Sequence, residues 1–191
     1  MEPITTKDQI LETSLKLFSQ RGYESVGVQE IAELSKITKP TLYYYFGSKK
    51  GILESILNTN GTLYFDELQN TAVYKSDMVK TLTDLLKFQG AQAANNSDFL
   101  RLHISLCFAP SDTESSLVHK TLRDKIEECL YSFFIKSTKE IGNMKGYEKI
   151  YSKNFINIMN SLSIDIMNKE IELDDQTVYR VIHSFMYGIV S

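Results

Sequence analysis

Apolar residues recur three and four positions apart through almost the whole chain, and the every-second-residue alternation of a half-buried strand finds no support. The spacing predicts an all-α protein. A capping pattern at Thr6-x-x-Gln9 opens a first helix that buries Ile10, Leu11, Leu15 and Phe18 and stops at Gly22, where a left-handed cap suits glycine. A second, short helix over about Val28 to Leu34 turns Val28, Ile31, Ala32 and Leu34 inward, with Gly27 as its cap. Ser35-Lys36-Ile37 makes a brief connection with Ile37 as an apolar plug. Thr38 then caps a third helix that begins Lys39-Pro40-Thr41 and ends near Gly47; proline costs little in a first turn, because that N–H has no intrahelical partner. Ser48 caps a fourth helix that runs past Ile52, Leu53, Ile56 and Leu57 towards Leu68. Further helices are predicted at about Met78–Asn95, Asp98–Phe108, Glu114–Ile141, Lys149–Lys169 and Asp175–Val190, separated by loop-forming stretches such as Ala109-Pro110-Ser111-Asp112.

Composition changes this picture little. The 191 residues are 42% hydrophobic and 24% charged, with a formal net charge of −3, values of an ordinary globular chain. No window approaches the roughly 18 apolar residues of a membrane span, and Met1-Glu2-Pro3-Ile4 does not open a signal segment, so a cytoplasmic protein with no membrane partner is expected. Cys107 and Cys129 lack Cys-x-x-Cys spacing and read as reduced, packed thiols. Residues 1–50 carry seven basic against six acidic side chains, an excess too small to argue for a polyanionic partner by itself.

The stretch Thr38-Lys39-Pro40-Thr41-Leu42-Tyr43-Tyr44-Tyr45-Phe46 carries more. Two short helices joined by a plug and a hydroxyl cap follow the helix-turn-helix plan, whose second helix enters the major groove of DNA. Adjacent helical residues point about 100° apart, so three consecutive tyrosines cannot share one core. Leu42 and Phe46 claim the inner face; Tyr43 and Tyr44 turn outward beside Lys39 and Thr41, where phenols stack on sugars and donate to phosphates. Tyr45 fits either side. Lys49 and Lys50 oppose the dipole at the start of the next helix, and a DNA phosphate would give that placement a reason.

Residues from about Ile10 to Leu57, through Leu17-Phe18, Gly22-Tyr23, Ile31-Ala32 and Thr38 to Leu53, resemble the DNA-binding domain of the tetracycline-repressor (TetR) family. The resemblance implies an N-terminal three-helix helix-turn-helix DNA-binding domain (1–50), followed by a larger helical ligand-binding and dimerisation domain (51–191). It further implies that Lys39, Pro40, Thr41 and Tyr44 meet base edges or sugars, that Tyr43 and Lys49 hold phosphates, and that Thr38 and Gln29 border the duplex. The sequence departs from the family in three places. Gly27 stands where a threonine often caps the second helix, Gln29 where arginine is frequent, and Gly51 where a glutamate often completes a capping box.

For the larger segment, Phe155, Ile158, Met159 and Leu162, with Val178, Ile182, Phe185 and Ile189, are the predicted dimer interface, because the last helix has apolar residues on more than one side. Phe88, Gln92, Phe99, His103, Cys107 and Phe133 are the candidate pocket for a largely apolar small-molecule effector. His103 and Cys107 have the spacing of a metal-ligand pair, but no further ligand stands at a suitable distance along the chain, so neither metal nor cofactor is predicted. His119 and His183 read as surface or interface residues. The chain has no Gly-rich phosphate loop, no Gly-x-Ser-x-Gly and no His-Glu-x-x-His, which argues against an enzyme. The function expected is a ligand-responsive transcriptional regulator, a repressor, binding a near-palindromic operator as a homodimer. Its rival is an adaptor of the same fold that grips another protein.

Overall fold

The computed structural model describes residues 5–140 and 144–188. Ten α-helices are assigned in chain order: α1 (Thr6–Arg21), α2 (Val28–Leu34), α3 (Lys39–Phe46), α4 (Lys49–Ile56), α5 (Thr62–Thr71), α6 (Met78–Asn95), α7 (Ser97–Cys107), α8 (Glu114–Thr138), α9 (Glu148–Met167) and α10 (Asp175–Tyr187). A π-turn over Leu57–Gly61 joins α4 to α5, so the predicted fourth helix is one run with a widened turn inside it. The described residues contain no strand, and the fold is all-α with an N-terminal helix-turn-helix. The chain divides into two compact units, residues 1–63 with 98–123 and residues 64–97 with 124–191.

In the first unit, local chemistry fixes the helix ends. The α1 cap is Thr5 rather than Thr6: the Thr5 hydroxyl accepts from Asp8 N–H at 3.2 Å and the Asp8 carboxylate accepts from Thr5 N–H at 3.2 Å, closing a capping box one residue earlier than the sequence suggested. Gly22, at φ +79°, ends α1 in the conformation that glycine adopts without steric cost. Ile10, Phe18, Ile31, Leu42, Ile52, Leu53 and Ile56 form the core, α1 packing on α2 and α4, and α3 on α2 and α4. Leu11 and Leu15 are only half-buried, whereas Leu17 is buried. Leu34 is 55% exposed, not inward: it lies about 110° round the helix from the centre of the buried Ile31–Ala32 pair.

The junction between α3 and α4 explains one sequence departure. Ser48 Oγ accepts from Gly51 N–H at 3.0 Å, while Phe46 O reaches back so closely that a Cβ on residue 51 would stand 2.0 Å from it. A glutamate there would collide with main chain. Gly51 is the residue that lets α3 end directly against the first turn of α4.

In the second unit α6 packs on α9 and α10. Phe155, Met159, Leu162, Val178 and Ile182, predicted at the dimer interface, are buried within this single chain, because α6 covers the apolar stripe first. Ile158 and Phe185 are half-exposed, and Ile189 lies outside the described residues. A buried polar chain threads the apolar layer: Tyr64 donates to Gln89 at 2.8 Å, Gln89 to Ser163 at 2.8 Å, and Ser163 to Met159 O at 2.7 Å. No helix among the described residues is long and apolar enough to cross a membrane.

Two substitutions test this packing. Phe134 is fully buried, with the rings of Phe133, Tyr151, Phe155 and Phe185 at 5.1–6.5 Å, so Phe134→Ala is expected to cost about 3–5 kcal/mol in urea denaturation. Gly51→Ala forces a main-chain shift and is expected to cost about 1–3 kcal/mol; an unchanged midpoint would mean that the close approach at Phe46 O imposes no constraint.

Candidate nucleic-acid interface

A helix as short as α3 does not persist in water alone, so its outward surface depends on how it is seated. Thr38 caps it, its hydroxyl accepting from Thr41 N–H at 3.3 Å and lying 2.9 Å from the Thr41 hydroxyl. Gly47, at φ +70°, closes the other end by donating to Tyr43 O at 2.9 Å. Leu42 is fully buried and Phe46 nearly so. The helical screw then leaves Tyr43 47%, Tyr44 84% and Tyr45 41% exposed, so all three rings are on the outside and the ambiguous Tyr45 joins the other two. Tyr44 and Tyr45 meet edge to face at 5.3 Å. Lys39 and Pro40 are exposed and Thr41 half-buried, and α3 contains no acidic residue.

The remaining candidates are engaged within the protein. Lys49 Nζ donates to Tyr23 O at 3.0 Å and Val26 O at 3.1 Å and lies 4.1 Å from the centre of the Tyr23 ring. The carbonyls of the α1–α2 turn thus supply the negative partner that the sequence reading sought in a phosphate. Lys50 pairs with Glu54 at 3.5 Å. The Gln29 amide donates to Glu33, and Arg21 pairs with Glu30 beside it. At the α2 start, Gly27 offers no side-chain cap.

The turn after α1 is also held from α7 and α8. Tyr23 donates its hydroxyl to Glu114, and burial, reinforced by that carboxylate, pushes the phenol pKa up. Ser115 donates to Glu24 at 2.9 Å, and Ser19 of α1 donates to Asp98 at 3.0 Å.

The six predicted effector residues fall into two groups. Phe88, Gln92 and Phe133 belong to the second unit. Phe88 packs on Tyr64 at 5.3 Å, Phe133 is buried against Phe134 and Tyr74, and the Gln92 amide is satisfied by donating to Glu67 at 2.7 Å and accepting from Asn96 at 2.8 Å. A groove of about 560 Å³ between α6 and α10 is lined instead by Val79, Thr83, Val178, Tyr179, Ile182 and His183, among others. Phe99, His103 and Cys107 belong to the first unit, where Phe99 stacks on His103 at 6.1 Å and Cys107 Sγ lies 3.8 Å from His103 Nε2. His119, read from sequence as a surface or interface residue, is fully buried beside them, Nε2 2.9 Å from His103 Nδ1. Helical spacing held part of the signal, since His119 lies three residues before the buried Leu122. Burial, with His119 adjacent, pulls the His103 pKa down to about 3.

Comparison with known proteins accords with this geometry. The family model for bacterial regulatory proteins of the tetR family matches residues 10–56. YuxN, an uncharacterized HTH-type transcriptional regulator of Bacillus subtilis strain 168, is 52% identical over 58 residues, which is 30% of this chain and 19% of that protein. IcaR, the HTH-type negative transcriptional regulator of the biofilm operon icaADBC in Staphylococcus aureus, is 27% identical over 142 residues, 70% of this chain and 74% of its own. Among solved structures, the fatty acid degradation regulator FadR from Bacillus halodurans superposes with a TM-score of 0.75 at 18% identity, covering 100% of this chain and 99% of that one. FadR from Bacillus subtilis, solved with stearoyl-CoA, gives a TM-score of 0.72 at 16% identity over 95% and 98% of the two chains. At these identities the structural likeness concerns the fold. Joined to the matched N-terminal segment and the exposed tyrosine helix, it supports a transcriptional regulator of the TetR family.

Proposed function

We propose that the protein is a repressor that binds a near-palindromic operator as a homodimer, inserting α3 into the major groove of each half-site, and releases it when a small, largely apolar molecule binds. The observation that carries this reading is the α3 surface: three exposed phenols, Lys39 and Pro40, on a helix free of acidic side chains. Lys39, Pro40, Thr41 and Tyr44 meet base edges and sugars, and Tyr43 donates to phosphate. Gln29 and Thr38 border the duplex, Thr38 chiefly as the cap. Lys49 serves differently from the sequence-based expectation: it braces the α1–α2 turn behind α3 rather than holding DNA. Residues 1–50 read the operator, and residues 51–191 carry pairing and effector binding.

Pairing uses the outward side of the last two helices. Ile158 and Phe185 are half-exposed, and Tyr179 and Tyr187 are exposed on α10, a set of rings that a second copy would cover. Two-fold pairing sets the heads at half-sites about 34–36 Å apart. The negative regulation named for IcaR supports repression, and the stearoyl-CoA bound by the Bacillus subtilis FadR supports an apolar effector. A differential affinity of about 1–3 kcal/mol between the two dimer states suffices for a 5–150-fold change in operator binding.

Selection of bound fragments from a random duplex pool tests the reading, and is expected to enrich a two-fold symmetric site; enrichment of none, with a stable complex to another protein, would favour the adaptor. On the selected duplex, Lys39→Ala is expected to reduce the log–log salt slope by about one. Lys49→Met is expected to leave that slope unchanged while lowering stability by about 1 kcal/mol, as the two carbonyls lose their donor. A reversed pattern would return Lys49 to the phosphates.

A further inference from the structure

His103 and Cys107 stand one turn apart on α7, and His119 joins them from α8, all within the first unit. His103 Nδ1 and His119 Nε2 are 2.9 Å apart, Cys107 Sγ is 3.8 Å from His103 Nε2, and one donor atom from each of the three falls within 4.8 Å of the other two. Ligands held tetrahedrally at about 2.0–2.3 Å from an ion stand roughly 3.3–3.8 Å apart. Because His103 meets His119 through Nδ1 and Cys107 through Nε2, and an imidazole gives an ion one nitrogen, closing on one ion breaks one of those two contacts and turns a histidine ring towards the other two ligands. Both imidazoles are buried and the thiol is half-buried. The Phe99 ring lies against His103 and fixes its plane.

We propose that His103, Cys107 and His119 bind a single zinc-class transition-metal ion, and that this ion is an effector of the DNA-reading segment. One thiolate and two imidazoles select a thiophilic or borderline ion over magnesium or calcium. Three protein ligands leave a fourth position for water or an exogenous group. Binding releases the thiol proton to solvent; the imidazoles stay neutral, each keeping its N–H on the nitrogen turned away from the ion.

The effector role follows from what α7 and α8 hold, and it rests on the DNA-binding reading above. Asp98 of α7 accepts from Ser19 of α1, while Glu114 and Ser115 at the start of α8 bond Tyr23 and Glu24 in the turn before α2. Leu122, three residues past His119, sits so close to the π-turn that a Cβ on Gly61 would stand 2.8 Å from it. An ion that draws α7 and α8 together acts on every one of these attachments.

The test uses the full chain, stripped with a chelator and titrated with cobalt(II) without DNA. One equivalent per chain is expected to give a thiolate-to-cobalt charge-transfer band and d–d bands of tetrahedral intensity, both abolished by one equivalent of zinc. Cys107→Ser should lose the charge-transfer band, Cys129→Ser should keep it, and His119→Gln should weaken binding more than about 10-fold, with circular dichroism confirming that each variant is folded. Absence of the band, or its survival in Cys107→Ser, overturns the site. On the selected duplex, zinc is expected to change the affinity of the wild type 5–150-fold and that of Cys107→Ser not at all; equal affinities with and without zinc overturn the effector role. A chain that gives the cobalt spectrum and binds no duplex overturns the DNA-binding reading and the effector role with it, and leaves the ion site standing.

Discussion

The seating of α3 is the constraint on which the rest of the molecule depends. Eight residues make about two turns, too few for hydrogen bonding along the helix to outweigh chain entropy. Leu42 and Phe46 supply the missing stabilisation by burial, and their spacing determines which way every other side chain on the helix faces. Gly51 allows the helix to end tightly against α4, and Lys49 ties the turn behind it to the same α4 turn. The tyrosines are exposed because these anchors leave them no inward direction.

That dependence also explains why DNA contact and internal bracing can be confused in a sequence. A lysine at a helix start is electrostatically misplaced unless an anion or a set of carbonyls faces it, and the sequence shows the misplacement without the partner. For Lys49 the partners are Tyr23 O and Val26 O, which are contributed by a turn more than twenty residues away. The basic character of the proposed reading surface then rests on Lys39 and on the absence of carboxylates from α3, consistent with the small charge excess of the first fifty residues.

Most of the fold was legible because helix signals are local. Thr38, Ser48, Gly22 and Gly47 cap or end helices where their chemistry predicts, and the Leu42–Phe46 spacing assigned the inner face of α3 correctly. Errors arose where a tertiary partner decides. Phe155, Met159, Leu162, Val178 and Ile182 form an apolar stripe that would suit a second subunit equally well, and only the presence of α6 against it shows that the chain buries them itself. His119 is sixteen positions from His103, and periodicity cannot reveal that α7 and α8 bring the two rings within hydrogen-bonding distance. The departure at Gly51 is explained only by the position of Phe46 O.

Chemical modification of tyrosine most directly tests whether the exposed face of α3 is the reading surface. Mild nitration of the free protein, mapped by mass spectrometry, should modify Tyr43, Tyr44 and Tyr45 ahead of the buried Tyr23 and Tyr64. With a saturating selected duplex, Tyr43 and Tyr44 should become protected while the exposed Tyr147 keeps its reactivity. Equal modification of Tyr43 and Tyr44 with and without bound DNA would contradict the account.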